Sequence, residues 1–184
     1  WLIGPPGDQA DDTFVFYFTD VGFSDVALAP SQGSTPDKVL YSAVSGDNDD
    51  TETFVSLDNF GSGAAFDAGV VTDESFDRVF SVTSGEGYGA GVHVAFAAFT
   101  GHSAGFASGY ETFSAKVKGS PDGRIEVKLI GSGTDSVVTV DVMSYGNATN
   151  LGNGWYELNI PISEFSNSDA ANIAAHTGWL IGPP

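Results

Sequence analysis

Thr13-Phe-Val-Phe-Tyr-Phe-Thr-Asp20 is the stretch on which the reading of the fold turns. It is built from aromatic and β-branched residues, and both of its alternating faces are apolar. A half-buried strand carries polar residues at every second position; a strand without them is covered on both sides. Residues 13–20 are therefore expected as a central strand. Unpaired, so flat an apolar edge would invite association. It must pair with segments from 37–178, either within this chain or by insertion into a neighbouring copy.

Strand patterns continue through the chain. In Thr112-Phe-Ser-Ala-Lys-Val-Lys118, Phe113, Ala115 and Val117 face one way, and Lys116 and Lys118 the other. Ile125, Val127 and Leu129 alternate with Glu126 and Lys128 in the same manner. Residues 90–99, 137–142 and 155–160 add strands, with further candidates at 38–44, 52–57 and 79–82. Turn signals separate them: Pro121-Asp-Gly123, Gly131-Ser-Gly133 and Gly152-Asn-Gly154. Short strands punctuated in this way predict an all-β sandwich of two antiparallel sheets rather than βαβ units. Helix is expected only over Asp169–His176, capped by Ser168 or Asp169.

Trp-Leu-Ile-Gly-Pro-Pro occurs twice, at 1–6 and at 179–184, a spacing of 178 residues. That period is too long for a solenoid and about right for a whole domain. It reads as one unit of a tandem array, with the next copy starting at 179. The proline-flanked stretch 29–36 lacks apolar bulk and is expected as a linker. Residues 1–28 then form a terminal strand segment of the repeat module, and 37–184 form its body.

Composition narrows the function. The chain of 184 residues holds 24 acidic and 6 basic residues, for a net charge of −18. Nucleic acid is excluded as a partner because the Lys/Arg footprint for phosphates is missing. There is no cysteine, so neither a disulfide framework nor a thiolate metal site is available. No apolar run approaches the length of a membrane span. The 17 aspartates against 7 glutamates gather in loop-like stretches, which suits solubility and also suits calcium's preference for oxygen ligands.

Gly101-His-Ser-Ala-Gly105 matches the Gly-x-Ser-x-Gly elbow of hydrolases, but that motif needs a strand-to-helix turn and a downstream acid and histidine. Here it leads toward a strand, and a small-residue turn explains it better. Gly85-Glu-Gly-Tyr-Gly-Ala-Gly91 has no lysine and no βα context for a phosphate cradle. His93, His102 and His176 show no metal-ligand spacing. Asp47-Asn-Asp-Asp50 echoes half of a calcium loop without its glycine or terminal glutamate. No catalytic constellation emerges, and the chain is expected not to be an enzyme.

From about Phe54 onward, the order of elements resembles the jelly-roll, galactose-binding-like carbohydrate-binding modules of secreted marine bacterial proteins. The resemblance is carried by Leu57-Asp-Asn-Phe60, Gly109-Tyr-Glu-Thr-Phe-Ser-Ala-Lys-Val-Lys-Gly119 and Gly152-Asn-Gly-Trp-Tyr-Glu-Leu-Asn-Ile-Pro-Ile-Ser-Glu-Phe165. Phe14–Phe23 looks like the final strand of such modules. The resemblance implies a jelly-roll sandwich and a structural Ca²⁺ between the first strand region and the last strand, places held here by Asp20 and Asp58. Sugar binding asks for exposed flat aromatics with polar neighbours, and Tyr88, His93, Tyr110 and Trp155 are the candidates. Two functional readings stay open. One is a non-catalytic structural or adhesive tandem-repeat module of an extracellular or cell-surface, filament-forming protein, partnered by neighbouring copies of itself. The other is a carbohydrate-binding module for a neutral polysaccharide such as a β-glucan.

Overall fold

A computed structural model describes residues 14–26, 36–42, 55–58, 66–84, 91–95, 104–119 and 123–182. Among them run twelve strands: β1 (Phe14–Ser24), β2 (Lys38–Tyr41), β3 (Val55–Asp58), β4 (Phe66–Val71), β5 (Val79–Ser84), β6 (Gly91–Ala95), β7 (Thr112–Lys118), β8 (Arg124–Gly131), β9 (Ser136–Asp141), β10 (Ala148–Gly152), β11 (Trp155–Pro161) and β12 (His176–Gly182). Helix α1 (Ala170–Ile173) is a single turn, capped by the Asp169 carboxylate, which accepts from the Ala171 and Asn172 N–H groups. It is shorter than the expected span because His176 already belongs to β12.

The strands form two antiparallel sheets, as the alternation predicts. The seven-stranded sheet runs β10-β11-β7-β1-β5-β4, with β2 also pairing with β1; the five-stranded sheet runs β3-β6-β12-β8-β9. Strand β1 is central, bonded to β5, β7 and β2, all within this chain. It also runs beyond the expected stretch, to Ser24, by absorbing an irregularity. Its register against β7 shifts between Thr19 and Gly22, where Asp20 adopts φ 47°. A bulge of this kind re-aims side chains without ending the strand, and aspartate is among the few residues that tolerate the left-handed region. Strands β1 and β2, which flank the stretch 29–36, are hydrogen-bonded neighbours. The described end of that stretch, Pro36, lies so close to Gly22 that a side chain there would overlap it.

Between the sheets lies one apolar core. The seven-stranded sheet contributes Phe16, Phe18, Phe80, Phe113, Val117 and Ile160; the other sheet contributes Ile125, Val127, Leu129, Val140, Trp179 and Ile181. Phe18 is the hub. Its ring stacks on Phe80 at 5.2 Å and meets Tyr41 edge-on at 5.6 Å and Trp179 at 6.1 Å, the last across the two layers. Such tilted and edge-on pairs are the favoured aromatic geometries.

Residues 179–182, the first four of the second hexapeptide, lie in β12 between β6 and β8, with Trp179 and Ile181 fully buried in this core. Truncating a buried tryptophan of this kind costs about 3–5 kcal/mol. Trp179→Ala should lower the unfolding free energy by that amount in chemical denaturation. A loss below about 1 kcal/mol, the level of an ordinary surface change, would show that β12 is not a core strand.

Candidate functional site

With Phe113, Ala115 and Val117 turned into the core, the alternate residues of β7 point to the outside of the seven-stranded sheet. The same holds on β11, where Leu158 and Ile160 are core while Trp155, Glu157 and Asn159 face outward. Register then sets these residues in rows across β1, β7 and β11. Thr19 lies opposite Lys116 and Lys116 opposite Glu157; Gly22 lies opposite Ser114 and Ser114 opposite Asn159. At one end of the rows, Tyr17 lies opposite Lys118, whose ammonium sits 5.8 Å from the rings of both Tyr17 and Trp155.

This outer face is buried although it is largely polar. Glu157 is 3% exposed, Ser114 3% and Asn159 1%. The aromatic end is closed by the segment before β5. There the Asp73 carboxylate accepts from the Trp155 indole N–H at 2.9 Å, from Lys118 at 2.9 Å and from the Ser75 backbone N–H. Burial pushes the Asp73 carboxyl up, but these donors and the Lys118 charge outweigh it and hold it below the usual carboxylate value. Phe76 meets Trp155 edge-on at 4.9 Å and lies 5.2 Å under the Lys116 ammonium. Lys116 in turn pairs with Asp20, the residue the bulge has turned toward it.

Beyond this satisfied cluster the bonding stops. Glu157 Oε2, Ser114 Oγ and both side-chain amide atoms of Asn159 are buried without a hydrogen-bond partner among the described residues. Native proteins leave few such atoms unpaired, because each costs roughly 1–3 kcal/mol. Three neighbouring residues with donor and acceptor capacity in one row and the next form a set suited to a ligand that supplies both. Burial pushes the Glu157 carboxyl above its ordinary value, with Lys116 opposing and Asp20 adding to the rise.

Of the site residues expected from sequence, only Asp20, Tyr110 and Trp155 have described side chains. Trp155 is 0% exposed, and its ring is packed by Phe76, Tyr17 and Lys118. Tyr110 is half-buried and stacks on Phe23 at 5.7 Å, on the core side. His93 lies on β6 in the other sheet, opposite Ser56 and position 180, and its side chain is outside the described residues. Tyr88 also lies outside them. For calcium, Asp20 is on β1 of one sheet and Asp58 on β3 of the other, its side chain outside the described residues. Asp20 pairs with the Lys116 ammonium. Among the described residues there is no group of three or more His, Cys, Asp or Glu side chains placed to hold a metal ion. The residues after the serine of the elbow-like motif are turn and then strand β7, with no helix among the described residues there.

Asn159 and Glu157 were legible in principle. Trp155-Tyr-Glu-Leu-Asn-Ile160 alternates strictly once Tyr156, Leu158 and Ile160 are taken as the core side, which leaves Trp155, Glu157 and Asn159 as one face.

Glu157 gives a signed test. Its folded value lies above the unfolded one, so stability falls as pH rises from the unfolded value through the folded value, and the full penalty is present above both. Glu157→Gln should therefore raise the melting temperature at pH 7, and the gain should vanish as pH is lowered below the ordinary glutamate value. A lower melting temperature for the variant at pH 7 would contradict the placement of an unpaired buried carboxylate.

Compared with protein-family models, curated proteins and solved structures, the chain matches none.

Proposed function

We propose that the chain is a non-catalytic module of an extracellular tandem-repeat protein, and that it holds a neutral, hydroxyl-rich polymer on the outer face of its seven-stranded sheet. The observation that carries this reading is Ser114 Oγ, Glu157 Oε2 and the Asn159 side-chain amide, which lie in two adjacent rows without a partner among the described residues; each residue is at most 3% exposed, so a polymer meets them only where their cover opens. A sugar hydroxyl both donates and accepts, and an amide, a hydroxyl and a carboxyl offer it both roles. The aromatic and cationic cluster of Trp155, Tyr17, Lys118 and Asp73 supports the row from one end. With a net charge of −18, a strongly anionic polymer would be repelled. A neutral glucan pays no such penalty. The resemblance to jelly-roll carbohydrate-binding modules agrees with this ligand class, and the duplicated hexapeptide supports the tandem arrangement, in which several copies act through avidity. The adhesive and polysaccharide readings then describe one surface.

Affinity electrophoresis in gels cast with a neutral β-glucan tests the proposal. The wild-type chain should be retarded, and Asn159→Ala should weaken binding by on the order of tenfold, the worth of about one good hydrogen bond. Because the Asn159 side-chain amide has no partner among the described residues, the variant should keep or slightly raise its melting temperature. Equal mobility of the wild type with and without every neutral polymer tried would overturn polysaccharide binding and leave a purely spacing module.

A further inference from the structure

The described position of β12 gives the repeated hexapeptide a structural meaning. Its residues Trp179, Leu180 and Ile181 pair on one edge with β6 and on the other with β8, and Gly182 pairs with β8. Trp179 and Ile181 fill the core, where Trp179 meets Phe18 at 6.1 Å and Phe113 at 6.2 Å. Residues 1–4 carry the same Trp-Leu-Ile-Gly, followed by the same Pro-Pro. The two segments therefore share the last four positions of the β12 ladder, the inward pair and the stop, since proline has no N–H with which to continue a ladder. One slot between β6 and β8 thus has two sequence-identical claimants.

We propose that Trp1–Gly4 is an interchangeable occupant of the β12 slot, so that a second copy of this chain can lend its first residues to the position between β6 and β8. This rests on the tandem-module reading and adds a mode of contact between copies; it does not depend on any ligand. The shared residues gain the same contacts at positions 179–182, while His176 and Gly178 add ladder pairs that the repeated hexapeptide does not cover, so occupancy is decided by effective concentration together with that difference. The segment at 179–182 has the advantage of direct attachment, worth millimolar effective concentration for a short connection. Exchange is therefore favoured at high protein concentration, during refolding, and wherever copies are held close. A lender and a slot on different parts of each copy make a head-to-tail contact, which extends as a chain of copies unless the rotation happens to close. The donor differs from the one that the sequence pattern nominated: β1 is paired within its own chain.

The absence of cysteine in the chain makes a direct trap available. Position 180 lies opposite Lys128 in the β12–β8 ladder, so a lent strand would set Leu2 opposite Lys128. The full chain carrying Leu2→Cys and Lys128→Cys is refolded at high concentration under a glutathione couple and run on a non-reducing gel. Several-fold more disulfide-linked dimer and higher species are expected than for Leu2→Cys with Ser144→Cys, where Ser144 is an exposed turn residue off the ladder. Adding Trp1→Ala and Ile3→Ala should abolish the excess, and adding Trp179→Ala and Ile181→Ala instead, which vacates the slot, should increase it. Cross-linking no greater than in the Ser144 control would overturn the proposal. A disulfide confined within single chains would also overturn it, by placing a chain's own first residues in its own slot. Either failure leaves the gel-retardation test of the polysaccharide reading untouched.

Discussion

Covering both faces of β1 is the constraint on which the rest of the structure depends. A strand with Phe16, Phe18 and Phe23 on one side and Tyr17 and Thr19 on the other cannot leave either side to water. The inner side is solved by a second sheet, whose β12 brings Trp179 against Phe18. The outer side is solved by a thinner cover. Pro36 presses on Gly22, the Arg78 carbonyl accepts from Thr19 at 2.9 Å, and the Trp155–Phe76 pair closes over Tyr17. Only glycine leaves room at position 22, where an added Cβ would lie 2.4 Å from the Pro36 side chain.

The outer cover explains why a polar row is buried at all. Where β1, β7 and β11 lie beneath the segment before β5, Asp73 binds Lys118, Trp155 and Ser75, and Lys116 binds Asp20. Beside them, Glu157 Oε2, and in the next row Ser114 Oγ and the Asn159 side-chain amide, are as deeply buried and have no partner among the described residues. A protein that only needed a filled layer would place apolar residues there, since swapping an unpaired buried polar group for an apolar one is neutral or stabilising. Retaining an amide, a hydroxyl and a carboxyl in adjacent rows is a stability cost that ligand binding would offset.

Much of the fold was legible because it is periodic. Phe113/Ala115/Val117 and Ile125/Val127/Leu129 alternate without exception, and their inward faces are the core. Asp169 also announced its helix as a cap, although the turn ends early because His176 is claimed by β12 and packs its ring against the Ser136 hydroxyl at 2.9 Å. What escaped detection lacks such a signal. Strands β4 and β10 carry Asp67, Gly69, Asn150 and Gly152, residues of low strand propensity at the two ends of the sheet order, where neighbouring strands rather than local preference set the conformation. Strand β12 was hidden by its own repetition, because a duplicated hexapeptide marks a unit boundary without saying on which side of it the second copy folds. The outward row was obscured by Trp155, whose size draws attention as a binding platform while its indole N–H is spent on Asp73.

Hydrogen exchange of the native chain, followed amide by amide, tests the central role of β1 most directly. Amides buried in central strands with pairing on both edges open only with global unfolding, whereas edges and loops exchange through local fluctuations. The account predicts that the Phe16, Phe18, Trp179 and Ile181 amides are among the slowest in the protein, with opening free energies equal to that of global unfolding. Fast exchange across Phe16–Phe18 while β7 and β8 stay protected would show that β1 is peripheral, and would contradict a fold organised around it.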